Sequence, residues 1–151
     1  MKESLLYKAM GEEIVMPNRW LFKTEPSAYS FQQLQKEKRA VWDGVKNNLA
    51  LKHLSNVRKG DLILIYHTGG GKAAVGIARA VSRSYPDPGK KDPKLLVAEI
   101  EPVKVLARPV TLSEIKANPK LKNFDLVRIS RLSIMPVSDE QWEIIERMAG
   151  E

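Results

Sequence analysis

The sequence predicts an α+β fold: a small, curved, mostly antiparallel sheet or barrel with helices packed outside it. Three observations carry that expectation. Apolar segments of β character alternate with helical segments of irregular placement. Two of the strands are joined by the tight Gly69-Gly70-Gly71 turn. The strands are too scattered for repeated βαβ units. With 151 residues, the chain can bury roughly 70% of its unfolded surface, enough for one real core and little more.

The elements follow in order. Residues 1–15 are expected to be an extension ahead of a single domain spanning residues 16–151, with Met16 an alternative start. Arg19 to Thr24 reads as a strand with Trp20 and Phe22 on one face, closed by Pro26. Ser30-Phe31-Gln32-Gln33 matches a capping box and opens a helix that ends near Arg39. Ala40 to Asp43 is extended and leads into Gly44. Leu49, Leu51, Leu54 and Val57 make an amphipathic helix over Asn47 to Val57. Leu62 to His67 is an apolar central strand, and Ala73 to Ser82 is the second arm of its hairpin.

Tyr85 to Pro93 is dense in breakers and reads as a loop. Leu95 to Val105 returns as a strand. Thr111-Leu112-Ser113-Glu114 caps a helix that stops before Pro119. Leu132 to Val137 is a further strand. Ser138-Asp139-Glu140-Gln141 caps the last helix, whose buried face is Trp142, Ile145 and Met148 or Ala149.

Charge narrows the choice of partner. The formal net charge is +7, and it is uneven. Lys36 to Gly60 carries a net of +5, Lys72 to Lys94 a net of +4, and Ser138 to Glu151 a net of −4. Such a distribution favours a polyanion on one side, although a solvated lysine-rich face has the same composition. The absence of cysteine excludes disulfides, thiolate metal sites and cysteine nucleophiles. It fits a reducing compartment, so the expected location is the cytoplasm, or the nucleus in a eukaryote. No apolar stretch approaches the ~20 residues that span a bilayer, and residues 1–15 lack a signal-peptide core. No membrane partner is expected.

Catalytic constellations are weak. Thr68-Gly-Gly-Gly-Lys72 lacks the first glycine of a phosphate loop and the hydroxyl that would follow its lysine, so it reads as a hairpin turn. His53 and His67 are the only imidazoles, and neither has metal-ligand spacing to a carboxylate. No metal and no cofactor are expected. Ser27, Ser130 and Ser133 lack a nucleophile elbow. Glu99 and Glu101 share one face of a strand and read as solvated.

A different group of residues survives. Trp20, Lys23, Trp42, Asn47, Tyr66, His67 and Arg131 lie near strand ends and turns among basic residues. Trp20, at strand spacing from Phe22, also fits a core position, and Trp142 sits on an acidic amphipathic helix and reads as core. Trp42 is followed by Asp43-Gly44, then by Lys46, Asn47 and Asn48. That turn can present a ring beside hydrogen-bonding groups, which suits a flat heteroaromatic ligand.

These residues fall within a set of words that resembles the EVE domain. The words are Trp20-Leu21-Phe22-Lys23-Thr24-Glu25-Pro26-Ser27-x-Tyr29-Ser30, Val41-Trp42-Asp43-Gly44-Val45-Lys46-Asn47 and Ile65-Tyr66-His67-Thr68. Val75-Gly76-Ile77-Ala78, Tyr85-Pro86-Asp87, Pro109-Val110-Thr111-Leu112 and Ser130-Arg131-Leu132-Ser133 continue the match in the same order, as far as about Ile145. Lys46 stands where the family usually has Arg, and Thr68 where Ser is common. A lysine cannot reproduce a bidentate arginine contact.

The resemblance implies a PUA-like fold related to YTH and ASCH domains. It also implies a non-catalytic reader of DNA or RNA whose pocket accepts a modified base. Carried onto this chain, the base pocket is expected from Trp20, Lys23, Ser27, Trp42, Asn47, Tyr66, His67, Arg131 and Ser133. Phosphate contacts are expected from Lys46, Lys52, Arg58 and Lys72. Two alternatives stand beside that reading. A carboxylate within reach of His67 in a cleft would mark a small enzyme acting on a nucleotide or small acid. An exposed apolar patch without a cavity would mark a protein-interaction module.

Overall fold

The computed structural model describes residues 16–151. The expected extension over residues 1–15 lies outside them. The elements are β1 (Arg19–Thr24), α1 (Phe31–Glu37), β2 (Ala40–Trp42), α2 (Asn48–Leu54), β3 (Leu62–His67), β4 (Ala73–Ala80) and β5 (Tyr85–Pro86). They continue with β6 (Leu96–Thr111), α3 (Leu112–Ala117), α4 (Asp125–Arg128), β7 (Ile134–Pro136) and α5 (Asp139–Met148), and a 3-10 turn covers Pro119–Leu121.

The helices start where side chains satisfy their first free N–H groups. Thr111 and Ser138 each form a complete capping box, with Glu114 and Gln141 reaching back to the cap backbone. The box expected at Ser30 is only half made. Ser30 accepts from the Gln33 N–H at 3.0 Å, but the Gln33 amide donates to Glu37 at 2.8 Å instead.

The strand order is β2-β6-β4-β3-β1-β7, with β5 beside β6. Among the described residues β1 and β3 are the parallel pair, and the other pairings are antiparallel. The sheet is therefore mixed but mostly antiparallel, as expected, and it curls into a half-barrel with the helices outside.

The long strand β6 accounts for the curl. Its pairing with β4 slips twice, between Ala74 and Gly76 and between Ile77 and Ala78. At the first slip Leu106 to Pro109 oppose Val75 alone. Such bulges bend a strand and increase its twist, and they give Pro102 and Pro109 places where no ladder N–H is needed. β6 consequently runs six residues beyond the expected end at Val105.

The core lies inside the curl. Phe22, Ile65 and Ile100 are fully buried from the sheet, and Phe31 and Leu34 are buried from α1. The helix packs closely because Gly76 has no side chain. A Cβ there would lie 2.5 Å from the Phe31 ring, so no residue but glycine fits without displacing α1.

Because the half-barrel does not close, the two outermost strands, β2 and β7, lie at opposite ends of the sheet order. The curl nevertheless brings these ends close together. The ring of Trp42 on β2 is 5.5 Å from that of Phe22 on β1, centroid to centroid. The open seam between the ends is where the site lies.

Candidate functional site

A cavity of about 430 Å³ fills the seam. Lys23 and Thr24 from β1, Ser133 from the segment before β7, and Val41 and Trp42 from β2 line it. Ala28, Tyr29 and the turn Asp43 to Lys46 complete the wall. Gly44 makes that turn possible. Its φ of +76° lies in the left-handed region that favours glycine, and it lets the chain fold back so that residues 43–46 face the same space as Trp42.

Trp42 is 9% exposed and packs between Phe22 and Tyr29, the latter edge-on at 6.2 Å. Among the described residues the Trp42 indole N–H makes no hydrogen bond, and it is not one of the side-chain polar atoms sealed away without a partner. A buried ring whose N–H has no partner within the described fold therefore lines the cavity. The Tyr29 hydroxyl donates to Glu37 at 2.7 Å, which fixes its ring. Burial, reinforced by Glu37, pushes the Tyr29 pKa well above the usual tyrosine range. The same hydrogen bond, ahead of that from Gln33, lowers Glu37.

Lys23 is half-buried. Its Nζ donates to the Ser130 carbonyl at 2.9 Å and sits 5.9 Å above the Tyr66 ring. Burial lowers its pKa from the ordinary lysine value.

Of the residues expected in a base pocket, Lys23, Trp42 and Ser133 line this cavity, together with Lys46 from the expected phosphate set. The others lie elsewhere, each for a physical reason. Trp20 is 5% exposed and donates its indole N–H to Asp61 at 2.9 Å. That carboxylate also accepts from the backbone N–H groups of Asn18 and Arg58, so Trp20 is a core residue whose polar group is fully used. Its other neighbour is His53, with ring centroids 6.2 Å apart, and burial lowers the His53 pKa.

Ser27 donates to Glu25 at 2.6 Å and is absent from the cavity wall. Asn47 uses its side-chain oxygen to cap α2, accepting from the Ala50 N–H at 2.9 Å. Arg131 is exposed and lines none of the cavities described here. His67 Nε2 accepts the Phe31 N–H at 3.0 Å, so its lone pair holds the start of α1. Burial lowers the His67 pKa, partly offset by Glu25. Glu25 itself is lowered by its hydrogen bonds with Ser27. The carboxylate nearest His67 is thus engaged with Ser27, and the imidazole with a helix terminus.

Tyr66 lines a different hollow on the far side of Lys23. The phosphate set divides similarly. Lys72 lines that second hollow, Arg58 a third depression beside Trp20, and Lys52 is exposed on α2. Tyr29, Val41, Asp43 and Val45 were not expected at the site. Tyr29 and the Asp43-Gly44-Val45 turn fall inside words that resemble the family, and that was the one available signal.

Among the described residues no group of three or more His, Asp or Glu side chains is placed to hold a metal ion. No helix there is long and apolar enough to cross a membrane.

Comparison with known proteins agrees with this architecture. The chain is 25% identical to thymocyte nuclear protein 1 of Rattus norvegicus, over 96% of this chain and 78% of that protein. An NMR structure of a Rhodopseudomonas palustris protein superposes with a TM-score of 0.84 at 38% identity, covering 88% of this chain and 93% of that one. The human THYN1 protein, crystallised in complex with DNA containing 5-methylcytosine, superposes with a TM-score of 0.81 at 25% identity, covering 89% and 98%. The family model of the EVE domain matches residues 18–148, and the chain belongs to the EVE domain family.

Proposed function

We propose that this chain is a non-catalytic reader that takes one modified base of a nucleic acid, a methylated cytosine in DNA in the first instance, into the seam cavity. The observation that carries the reading is the cavity's construction. It is about 430 Å³, within the ~300–1,000 Å³ of small-ligand pockets. It is walled by a buried indole with an open N–H and rimmed by Lys23 and Lys46.

Each wall has a use. The Trp42 ring offers a stacking surface, which is worth ~1–3 kcal/mol per base. The Asp43 carboxylate suits the exocyclic amine of cytosine. Val41 and Val45 provide apolar contact for a methyl group. Lys23 and Lys46 meet the phosphates. The base must leave its stack to enter, at a cost of a few kcal/mol. The DNA bound by the human relative contains 5-methylcytosine, which supports this choice of base. In this reading residues 16–151 act as one domain, working in the cytoplasm or, in a eukaryote, the nucleus.

The test is a titration of methylated and unmethylated oligonucleotides at fixed salt. Trp42→Ala is expected to lose ~1–3 kcal/mol of affinity for the methylated strand, and with it the preference over the unmethylated one. The remaining binding would be the salt-dependent phosphate contribution. Equal affinity of wild type and Trp42→Ala for the methylated strand would sink the reading.

A further inference from the structure

Lys23 forms part of two walls. On one side is the seam cavity; on the other is a hollow of about 280 Å³ bounded by β3, the β3–β4 turn and α3. The fold brings its lysines together from distant parts of the chain. The parallel register of β1 and β3 sets Lys23 beside Tyr66. The Leu112 N–H donates to the Lys72 carbonyl at 2.8 Å, which ties the turn to the start of α3. Lys116 lies one helical turn beyond Leu112, on the same face. The floor is apolar, from Leu112 and Leu126.

Three features of this hollow bear on what it can hold. No carboxylate lines it. Like most lysines of the described fold, Lys23, Lys72 and Lys116 pair with no acidic side chain, and the Lys23 Nζ donates instead to the Ser130 carbonyl at 2.9 Å, so their charge is not neutralised from within the fold. Tyr66 is only 3% exposed, yet its hydroxyl makes no hydrogen bond among the described residues. That hydroxyl is not sealed away from the surface, and the residue lines the hollow. An unpartnered O–H in a hollow lined by three lysines and no carboxylate suits an acceptor that carries negative charge. Lys72 also adopts a φ of +32° directly after three glycines, a conformation uncommon for a residue with a side chain.

We infer that the hollow formed by Lys23, Tyr66, Lys72 and Lys116 is a second subsite that binds a phosphoryl group, namely the backbone phosphate flanking the base held in the seam. Three ammonium groups supply the charge and the Tyr66 hydroxyl donates to a phosphoryl oxygen. Burial keeps that hydroxyl protonated, since it raises the Tyr66 pKa above the ordinary value. Lys23, common to both walls, couples the subsites. The choice of a strand phosphate over a free one rests on the base-reading proposal; the phosphoryl chemistry does not.

The experiment uses the full chain with Tyr66→Phe and Lys116→Gln. Single-stranded oligonucleotides, methylated and unmethylated, are titrated across a salt series. Inorganic phosphate is titrated separately, with the amide NMR shifts of Thr68 and Lys72 as readout. Both variants are expected to bind oligonucleotide about 3- to 10-fold more weakly, to the same extent for methylated and unmethylated strands. Lys116→Gln is expected to reduce the slope of log K against log salt by about 0.7.

Unchanged affinity and salt slope in both variants would overturn the inference while leaving the base reading intact. A loss confined to methylated strands would also overturn it, by placing Tyr66 in base discrimination. If wild type bound no oligonucleotide, the base reading would fail and the phosphate arm would decide. Saturable shifts in wild type that are lost in both variants would keep the phosphoryl subsite, and their absence would end it.

Discussion

Trp20 and Trp42 are buried to similar degrees, 5% and 9% exposed, and both stand on strands near the ends of the sheet. They differ in what their N–H groups do. Trp20 donates to Asp61, a carboxylate that also ties down two backbone N–H groups. Trp42 donates to nothing among the described residues and faces a cavity. In the first region the indole N–H and the carboxylate that receives it are satisfied inside the fold, so the aromatic ring serves stability. In the second, a ring of similar burial keeps an open donor, and a ligand can complete its hydrogen bonding. Tyr66 repeats the second pattern, and His67 the first. Polar saturation, more than burial, separates the aromatic residues that hold this fold from those available to a partner.

The comparison breaks most visibly at Asp61. Asp61→Ala strands three donors, each worth ~1–3 kcal/mol when left buried and unpaired. Chemical denaturation should show a loss of about 3 kcal/mol or more, while the protein that remains folded keeps its preference among oligonucleotides. An unchanged denaturation midpoint would remove the structural half of the contrast.

Paired Trp→Phe substitutions sharpen it. Trp20→Phe leaves one Asp61 oxygen short of a donor and should cost ~1–3 kcal/mol of stability without changing oligonucleotide affinity. Trp42→Phe keeps a stacking ring but removes the open N–H, and should cost about 1 kcal/mol of binding with a smaller effect on the melting temperature. If the two substitutions exchanged these effects, the division would be wrong.

The smallest effect is a pH dependence. Burial lowers the folded-state pKa of His67 from its ordinary 6.5, and its unprotonated Nε2 must accept the Phe31 N–H. The unfolded chain therefore takes up the proton first as pH falls. Stability is full above about pH 6.5 and declines as pH drops below that toward the folded pKa. His53, also lowered by burial, contributes in the same direction. Thermal melts from pH 7.5 to 5 should show a shallower decline in His67→Gln than in wild type; an identical decline would mean that His67 does not titrate on unfolding.

The local elements were legible in the sequence because their causes are local. The capping residues Ser30, Thr111 and Ser138 act on N–H groups three residues away, and strands β1 and β3 span the segments read from the paired aromatic positions of one and the apolar run of the other. The short helix α4 was not legible, since four residues show no period. β6 was read as ending at Val105, where Leu106 to Pro109 bulge out of the ladder, and its pairing resumes at Val110.

The EVE words led to Trp42, Lys23, Lys46 and Ser133. They did not separate these from Trp20, Asn47 and His67, whose polar groups are engaged by Asp61, Ala50 and Phe31. Two of those partners, Asp61 and Phe31, are far away in the chain. Period-two alternation assigns Tyr66 to a face of its strand, but not to one side or the other of Lys23. That depends on the parallel pairing of β1 with β3, and no motif in the chain marks it.

The open seam has one further consequence. A closed barrel has no strand edges, whereas here β2 and β7 each end the sheet with ladder groups unpaired on one side. A ligand seated between Trp42 and Ser133 bridges those two ends and acts as a clasp on the half-barrel. Its binding energy then adds to folding stability, by about 2.7 kcal/mol at a hundredfold excess over Kd. The gain should be concentrated in slower amide exchange along β2 and β7. Occupancy of the site can thus be read from the rigidity of the sheet's two ends, with no label on the ligand.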